Sequence, residues 1–424
     1  MDNYGSKKFL FVLILIISIS PAAWTKIYTT AEYDFPLKDA NIATLASGAN
    51  MPLTPYEIVN IEIRTDRRLV PLAEGRNKVP LGLFEQKNRA APLAFIIAGT
   101  GGSALAGSAL YLASQLYLKG FHVVTLPNPI HWHYVLGVSE STLPGYPFRD
   151  SPEYYKFLEK TTQFLKSKRN LKISNFSLVG YSYGGLLAGF LAEEDLKQKI
   201  FDFKRVVIIS PAMNIASSIQ TLDKYYSEGH LMTLDRRQVI LGTIINVGMK
   251  IREIGFDLNI IGNAIKELQL TPLETQWVIG NDFRENLRDV IFTSQQIKDL
   301  RLLKIKATPT RKSARLNEAK KVSFSTYFKY FVAPSILEKP QVANNDALNT
   351  LLEKSSFYSQ SDFIKNNKNI FIITNQDDFL MGAGDVESLT STANERLYLY
   401  PYGGHMGNLW HPLNQHNFLE IFKF

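Results

Sequence analysis

Apolar and polar positions follow two alternating patterns along the chain. Short, almost wholly apolar runs have the length of buried β-strands, and stretches with helical spacing separate them. The predicted strands are residues 93–98, 121–126, 176–179, 205–209, 369–374 and 396–402, and the predicted helices are residues 104–118, 151–168 and 185–194, one after Gly384 and one near 415–424. Strands that are apolar on both faces and alternate with helices are typical of a parallel sheet covered on both sides. The sequence therefore predicts an α/β fold with a mostly parallel central sheet.

An earlier segment has a different period. Residues 58–64 alternate between apolar and polar side chains, and a turn at Thr65-Asp66-Arg67 follows. This pattern predicts a hairpin at one edge of the sheet.

The strand pattern is interrupted in the second half of the chain. From 213 to 361, helical periodicity and charge dominate, and the buried-strand pattern returns only after residue 362. We predict one sheet domain in two parts, 24–212 and 362–424, with a helical cap or lid inserted at 213–361.

The first residues have the pattern of a secretory signal peptide. Lys7 and Lys8 precede an apolar run, 9–17, and small residues lead to a cleavage site after Ala22 or Ala23. We expect residues 1–23 to be removed and the protein to be exported, periplasmic or secreted. An uncleaved N-terminal membrane anchor is the alternative, because the apolar stretch can be extended to Trp24.

Composition narrows the chemistry. The 424 residues include no cysteine, which excludes thiolate catalysis and cysteine-ligated metals. The net charge of +8 comes mainly from one short segment that has a single acid, Glu318, and these basic residues: Arg301, Lys304, Lys306, Arg311, Lys312, Arg315, Lys320 and Lys321. A solvated surface is the ordinary interpretation of such a segment, and contact with an anionic membrane is the alternative. No nucleic-acid-binding motif accompanies it, so we expect no nucleic acid partner.

The strongest chemical signal is a G-x-S-x-G motif. Gly180-Tyr181-Ser182-Tyr183-Gly184 directly follows the predicted strand 176–179 and opens a helix, which is the setting of a nucleophile elbow. The glycines at 180 and 184 would relieve crowding where the strand and helix nearly touch. We predict that Ser182 is the nucleophile.

A serine hydroxyl needs a base, and the base needs a carboxylate to orient it. The strand 369–374 leads into Asp377 and Asp378, and the strand 396–402 leads into Gly403-Gly404-His405. All three candidates follow the carboxyl ends of parallel strands, where ligands bind in open α/β sheets. We predict His405 as the base and Asp377, the first carboxylate after its strand, as the acid, with Asp378 as the alternative.

A glycine-rich loop follows the first buried strand. In a hydrolase, the segment Gly99-Thr100-Gly101-Gly102 supplies a backbone donor to the oxyanion, so we expect the N–H groups of Thr100 and Tyr183 to form the hole. The loop also resembles a dinucleotide fingerprint, but the next strand ends at Thr125-Leu126-Pro127-Asn128 without the required acid. We therefore expect no cofactor.

His131 and His133 have the spacing of a metal-binding pair. No third ligand is evident in the sequence, so a position on the surface or in the lining of a pocket is the better interpretation. We predict no metal site.

Together, the loop at Gly99, the motif around Ser182, the pair Asp377-Asp378 and the segment Gly403-Gly404-His405 resemble the α/β-hydrolase superfamily. Within it, they look most like bacterial esterase and lipase-like proteins of the serine aminopeptidase-like group. The resemblance covers about 57–212 and 362–424, and it implies an α/β-hydrolase fold with a lid. Ala98 stands where the family usually has a histidine, and Thr374 stands where a glycine often precedes the acid.

These features predict a serine hydrolase that cleaves an ester or related acyl bond of a small molecule or lipid through an acyl-enzyme, as a carboxylesterase or lipase does. Peptidase and acyltransferase reactions use the same triad and remain alternatives. A non-catalytic envelope binding protein that keeps the fold is the competing class.

Overall fold

The computed structural model describes residues 26–70, 76–87, 90–337 and 345–423, and its centre is one nine-stranded sheet. The strands are β1 (Lys26–Ile27), β2 (Glu57–Ile61), β3 (Val79–Phe84), β4 (Ala91–Ile97), β5 (His122–Leu126), β6 (Ile173–Tyr181), β7 (Arg205–Ile209), β8 (Ile370–Asn375) and β9 (Leu397–Tyr400). Their order across the sheet is β1-β9-β8-β7-β6-β4-β5-β3-β2. The predicted signal peptide, 1–23, lies outside the described residues.

The pairing of the strands confirms the predicted α/β class. Every pair from β1 across to β5 is parallel, whereas β3 pairs antiparallel with both β5 and β2. Strand β2 lies at the edge, as the alternating pattern at 58–64 predicts. Strand β3 was not predicted, because Pro80 and Gly82 interrupt its apolar run and both residues disfavour a strand interior.

Helices cover both faces of the sheet. Those before β8 are α1 (Ala40–Ala46), α2 (Gly107–Leu118), α3 (Trp132–Gly137), α4 (Pro147–Arg169), α5 (Tyr183–Gln198), α6 (Ile215–Ser227), α7 (Leu234–Ile254), α8 (Leu258–Leu268), α9 (Pro272–Ile297), α10 (Lys312–Lys320), α11 (Phe324–Tyr327), α12 (Ala333–Ile336), α13 (Asn345–Lys354) and α14 (Ser361–Asn366). After β8 come α15 (Asp385–Ala393) and α16 (Pro412–Glu420). The described residues between β7 and β8 contain helices and no strand, and the division of the chain into domains at 213 and 361 stays a prediction.

Helix α4 begins earlier than the pattern predicts. The sequence favours a start at Ser151 with Pro152 in the first turn, but the helix opens at Pro147 and Pro152 lies within it. A proline is tolerated in a first turn because the N–H that it lacks has no helical partner there. Pro147 takes that place, so the amphipathic pattern marks the middle of this helix better than its start.

Strand β4 shows how the core is divided. Its side chains alternate, with Leu93, Phe95 and Ile97 packing into one apolar cluster and Ala94 and Ile96 packing into another on the opposite face. The carboxyl end of β4 is therefore held between two cores. The loop that follows it, at Gly99 and Thr100, projects from a rigid base.

The basic segment 301–321 is partly built into the structure. Arg315 is buried and donates to the carbonyl of Gln295, and Lys320 pairs with Glu285. Contact of the remaining cations with a membrane surface stays a prediction. Within the described ranges, no helix has both the length and the apolar character needed to cross a bilayer.

Candidate active site

Ser182 stands at the sharp turn between β6 and α5. Its backbone has φ 57° and ψ −128°, a strained conformation for a residue with a side chain. The Ser182 N–H donates to the carbonyl of Ile209 at the end of β7 (2.9 Å), and the Ser182 carbonyl accepts from Gly185 N–H (2.9 Å). These bonds hold the turn at the carboxyl edge of the sheet.

The glycines on either side of Ser182 are required by close backbone contacts. A β-carbon at Gly180 would collide with the carbonyl oxygen of Gly184, and one at Gly184 would collide with the carbonyl oxygen of Ala98. Both contacts are with backbone atoms, which cannot rotate away. The sequence argument about crowding therefore agrees with the geometry at this turn.

The glycine-rich loop after β4 lies directly against the serine. A β-carbon built on Gly99 would be 2.9 Å from the β-carbon of Ser182, and Gly101 N–H donates to the carbonyl of Ile130 (3.0 Å). Within the described residues, the N–H groups of Thr100 and Tyr183 have no hydrogen-bond acceptor. Two free backbone donors beside a serine are what an oxyanion hole requires.

The imidazole of His405 is paired with Asp378. Its Nδ1 lies 2.8 Å from Asp378 Oδ2, and the other oxygen of this carboxylate accepts from Leu380 N–H (2.9 Å). The exposed fractions of the His405 and Asp378 residues are only 6% and 3%. The geometry thus corrects the sequence preference for Asp377: the second carboxylate after β8, and not the first, reaches the histidine.

Asp377 instead holds the backbone of the histidine loop. Its two oxygens accept from Gly403 N–H (3.1 Å) and Gly404 N–H (2.9 Å). Burial raises the pKa of Asp377, and these two backbone donors partly oppose the shift. A carboxylate that points at the start of this loop cannot also reach the imidazole, which is the physical reason for the correction.

Helix α1 supports the same loop from outside the sheet. His405 N–H donates to Thr44 Oγ1 (2.8 Å), and the Thr44 hydroxyl donates to the carbonyl of Ala40 (2.7 Å). A β-carbon at Gly404 would collide with that carbonyl, so only glycine allows the loop to approach the helix this closely. No motif marks Thr44, and the sequence analysis did not include it.

Ser182 and His405 lie at the same edge of the sheet. They follow the carboxyl ends of β6 and β9, and Ser210 N–H on the intervening β7 donates to the carbonyl of Ile373 on β8 (2.8 Å). The described residues show no hydrogen bond between Ser182 Oγ and His405 Nε2. The ring of Phe379 packs against the imidazole, with 5.1 Å between ring centroids.

A mostly parallel sheet with a strained serine between strand and helix, followed along the chain by an acid and a histidine, is the arrangement that defines one fold. The chain has the α/β-hydrolase fold. No family model and no curated protein matches its sequence.

Solved structures that resemble this chain include three at 12% sequence identity. One is the thioesterase domain from the curacin biosynthetic pathway, with a TM-score of 0.38, covering 87% of this chain and 100% of that one. Another is Est1E from Butyrivibrio proteoclasticus, with a TM-score of 0.38 and coverage of 86% and 98%. An esterase of Pyrococcus furiosus has a TM-score of 0.39 and coverage of 92% and 98%.

Tyr183, the residue after Ser182, is held in place by hydrogen bonds of its side chain. Tyr183 donates its hydroxyl to Asp150 Oδ2 (2.9 Å), and the same oxygen accepts from Gly145 N–H (2.7 Å) and Tyr146 N–H (3.1 Å). Asp150 is fully buried, and this burial raises its pKa. These bonds fix Tyr183, whose backbone N–H is one of the two predicted oxyanion donors.

A second buried carboxyl lies near Asp150 on α4. Glu153 accepts from Glu140 N–H and lies 3.4 Å from Ser139 Oγ. Burial raises the pKa of Glu153 to about 7, and the neighbouring Asp150 adds to the shift. Its protonation state therefore changes close to neutral pH.

A small apolar cavity of about 50 Å³ opens beside Ser182. It lies under helices α6, α9 and α11. Its lining residues are Thr100, Ile130, Gly145, Ser182, Tyr183, Ala212, Ile215, Ser218, Ile219, Leu222, Phe283, Phe324, Tyr327, Phe328 and Leu380. Ser182 and the two residues with the predicted oxyanion donors, Thr100 and Tyr183, therefore line the same cavity.

Of the two histidines at 131 and 133, His131 binds a backbone group through its ring. His131 caps α3 by accepting from His133 N–H (3.1 Å), and burial lowers the pKa values of His131 and His133 to about 3 and about 4. In the parts of the chain that the structure describes, no three His, Asp or Glu side chains are grouped as metal ligands. Only their neighbour Ile130 lines the cavity beside Ser182.

Proposed function

We propose that this protein is a serine esterase in which Ser182 is the nucleophile, His405 the general base and Asp378 the acid. The observation that carries the proposal is the 2.8 Å contact between His405 and Asp378, at the same sheet edge as a strained serine. A buried imidazole held by a carboxylate at Nδ1 presents Nε2 as a proton acceptor. A histidine–carboxylate pair at the same sheet edge as the serine is therefore the strongest support for the proposal.

The reaction follows from these positions. Ser182 Oγ attacks the acyl carbon of the ester while its proton passes to His405 Nε2, and the carbonyl oxygen becomes an oxyanion. Thr100 N–H and Tyr183 N–H donate to this oxyanion, and each such donor supplies roughly 3 kcal/mol of transition-state stabilisation. The proton on His405 then moves to the leaving alkoxide as the C–O bond breaks.

Hydrolysis of the acyl-enzyme repeats these steps with water. His405 takes a proton from the water as its oxygen attacks, and returns that proton to Ser182 Oγ when the acid leaves. Asp378 stabilises the charged imidazole in both halves of the reaction. Within the described residues, Ser182 Oγ and His405 Nε2 are not hydrogen-bonded. This is compatible with the proposed role, because catalytic hydrogen bonds often form or shorten only when substrate binds.

The cavity supports a small acyl group as the substrate. Pockets that hold drug-sized ligands have volumes of about 300–1,000 Å³, whereas the cavity beside Ser182 has about 50 Å³. Phe283 on α9 and Leu380 in the loop after β8 both line it. We propose a carboxylesterase that prefers short acyl chains over the long chains that lipases take.

Labelling with a fluorophosphonate probe tests the nucleophile. We expect purified wild-type protein to be labelled and Ser182→Ala and His405→Ala to lose labelling by more than 100-fold, because the serine is then absent or lacks its base. Ser217→Ala is a matched control, because Ser217 is an exposed serine in the first turn of α6 that the mechanism does not use. A folded wild-type protein that is not labelled would move the assignment to a binding protein that keeps the fold.

A further inference from the structure

A second cavity lies between helix α1 and the helix pair α7–α8. It has a volume of about 190 Å³, and none of its lining residues belongs to the cavity beside Ser182. Helix α1 and the turn after it form one wall, and α7, α8 and Leu270 form the others. It is therefore a separate space on the outer side of the helix that supports His405.

The walls of this cavity are almost wholly apolar. Thr243 carries the one side-chain hydroxyl among its described lining residues, and the other side chains are aliphatic or absent. An apolar cavity of about 150 Å³ stays dry and binds a molecule as small as benzene. A cavity slightly larger than this accommodates a hydrocarbon segment of about six to eight carbon atoms.

Two exposed glycines line the edge of this space. Gly48 follows α1 and Gly248 lies in α7, and a β-carbon at either position would meet no atom within 4 Å. Neither residue has a left-handed backbone, so no turn demands glycine there. In the interior of α7, glycine lowers helix stability relative to other residues. A leucine side chain therefore fits at either position and would extend over the edge of the apolar space.

A polar cavity adjoins the apolar one. Thr243, Val247 and Ala264 line both, and the second cavity adds the polar side chains Asn246, Lys250, Asn263 and Glu267. Its amides, ammonium and carboxylate can donate to and accept from a polar end group. The apolar and polar spaces thus share a wall formed by α7 and α8. A molecule with a hydrocarbon chain and a hydrogen-bonding head would fit both.

We infer that the apolar cavity between α1 and α7–α8 binds the hydrocarbon chain of a single-chain amphiphile, whose polar head lies at Asn246 and Asn263. The site is distinct from the one that holds the reacting acyl group. It also touches the supporting helix: Ile42 and Leu45 face the cavity, while Thr44 between them accepts from His405 N–H.

Isothermal titration with octan-1-ol tests the site on the full chain. We expect saturable binding by wild-type protein, at least ten-fold weaker binding by Gly248→Leu and by Gly48→Leu, and a dissociation constant within two-fold of wild type for Gly242→Leu. Gly242 is the matched control because it also lies in α7 with no atom within 4 Å of a built β-carbon, but it does not line the cavity. Thermal melting shows that each variant is folded.

Each outcome decides the inference. Loss of binding in the two cavity-filling variants and not in Gly242→Leu supports it. No saturable binding by the wild type, or equal binding by all four proteins, overturns it. The same titration with Ser182→Ala should give the wild-type dissociation constant, so the result is independent of whether the protein is an esterase. If Ser182→Ala, or a substitution that fills the cavity beside Ser182, abolishes octan-1-ol binding, the ligand binds elsewhere and the inference is overturned.

Discussion

His405 Nδ1 lies 2.8 Å from Asp378 Oδ2, although a second carboxylate precedes Asp378 directly in the chain. The two acids have separate partners: Asp378 binds the imidazole, and Asp377 binds the N–H groups of Gly403 and Gly404. One carboxylate therefore orients the imidazole of His405, and the other holds the loop that carries it.

Replacing Asp378 with asparagine should lower kcat for p-nitrophenyl acetate by about 10³–10⁴-fold. An amide at this position favours the wrong tautomer of His405 and cannot stabilise the charged imidazole. Steady-state kinetics, with thermal melting to verify the fold, measures the effect.

Asp377→Asn is the matched control for that prediction. Its carbonyl oxygen can still accept one of the two loop N–H groups, so we expect kcat to fall by less than about ten-fold and the melting temperature to fall. If Asp377→Asn loses as much activity as Asp378→Asn and remains equally stable, the assignment of the acid is wrong.

Thr44→Val should weaken the support of the histidine loop. The buried His405 N–H would lose its acceptor, which costs about 1–3 kcal/mol of the free energy of unfolding. We also expect kcat to fall about ten-fold with little change in KM, because a small displacement of a catalytic group slows the chemical step. Urea denaturation and kinetics test both effects.

Thr44→Ser separates the hydrogen bond from the side-chain volume. Serine keeps the hydroxyl that accepts from His405 N–H and loses only a methyl group, so most of the activity should remain. Equal losses in the serine and valine variants would show that packing, and not the hydrogen bond, matters at this position.

Enlarging the cavity beside Ser182 should change the preferred acyl length. We expect wild-type kcat/KM to be highest for p-nitrophenyl acetate or butyrate, and Leu380→Ala to raise the ratio of octanoate to butyrate activity by about ten-fold. A series of p-nitrophenyl esters measures this ratio. Leu337→Ala, a partly buried position outside the lining, is the control and should leave it unchanged.

Glu153 should make stability depend on pH near neutrality. Burial raises its pKa from an ordinary 4.5 to about 7, so the folded protein holds the proton more tightly than the unfolded chain does. The resulting stabilisation is fully present below about pH 4.5 and is lost as the pH rises through about 7, a change of about 2–3 kcal/mol.

Urea denaturation of wild type and Glu153→Gln from pH 4 to 8 measures this contribution. Glutamine does not titrate, so the variant does not lose this contribution as the pH rises. The free energy of unfolding of the variant minus that of the wild type should therefore increase from pH 4 to 8. Curves that stay parallel over this range would show that Glu153 has an ordinary pKa.

The sequence predicts the parts of this structure that follow strong local rules. The parallel strands were predicted from apolar runs, because a strand buried on both faces excludes polar residues at every position. The turn at Ser182 was predicted from its two glycines, since the backbone contacts there allow no side chain. Strand β3 was missed because Pro80 and Gly82 interrupt its apolar run, so that only its pairing with β2 and β5 marks it as a strand.

The identity of the acid could not be predicted, for a related reason. Asp377 and Asp378 are chemically alike and adjacent, and only the path of the loop after β8 decides which one points at His405. Thr44 and Asp150 act through contacts with residues far away in the chain, at separations of 361 and 33 positions. Such contacts leave no mark in the local sequence.

The contact between α1 and the loop of His405 has a consequence for how the protein is made. A ribosome completes the turn at Ser182 long before it completes residue 405, so the growing chain holds the proposed nucleophile without the proposed base. Even the finished loop needs the segment around Thr44, which was made first, to close against it. The proposed esterase activity should therefore appear only late in folding, when the segments around Thr44 and His405 meet.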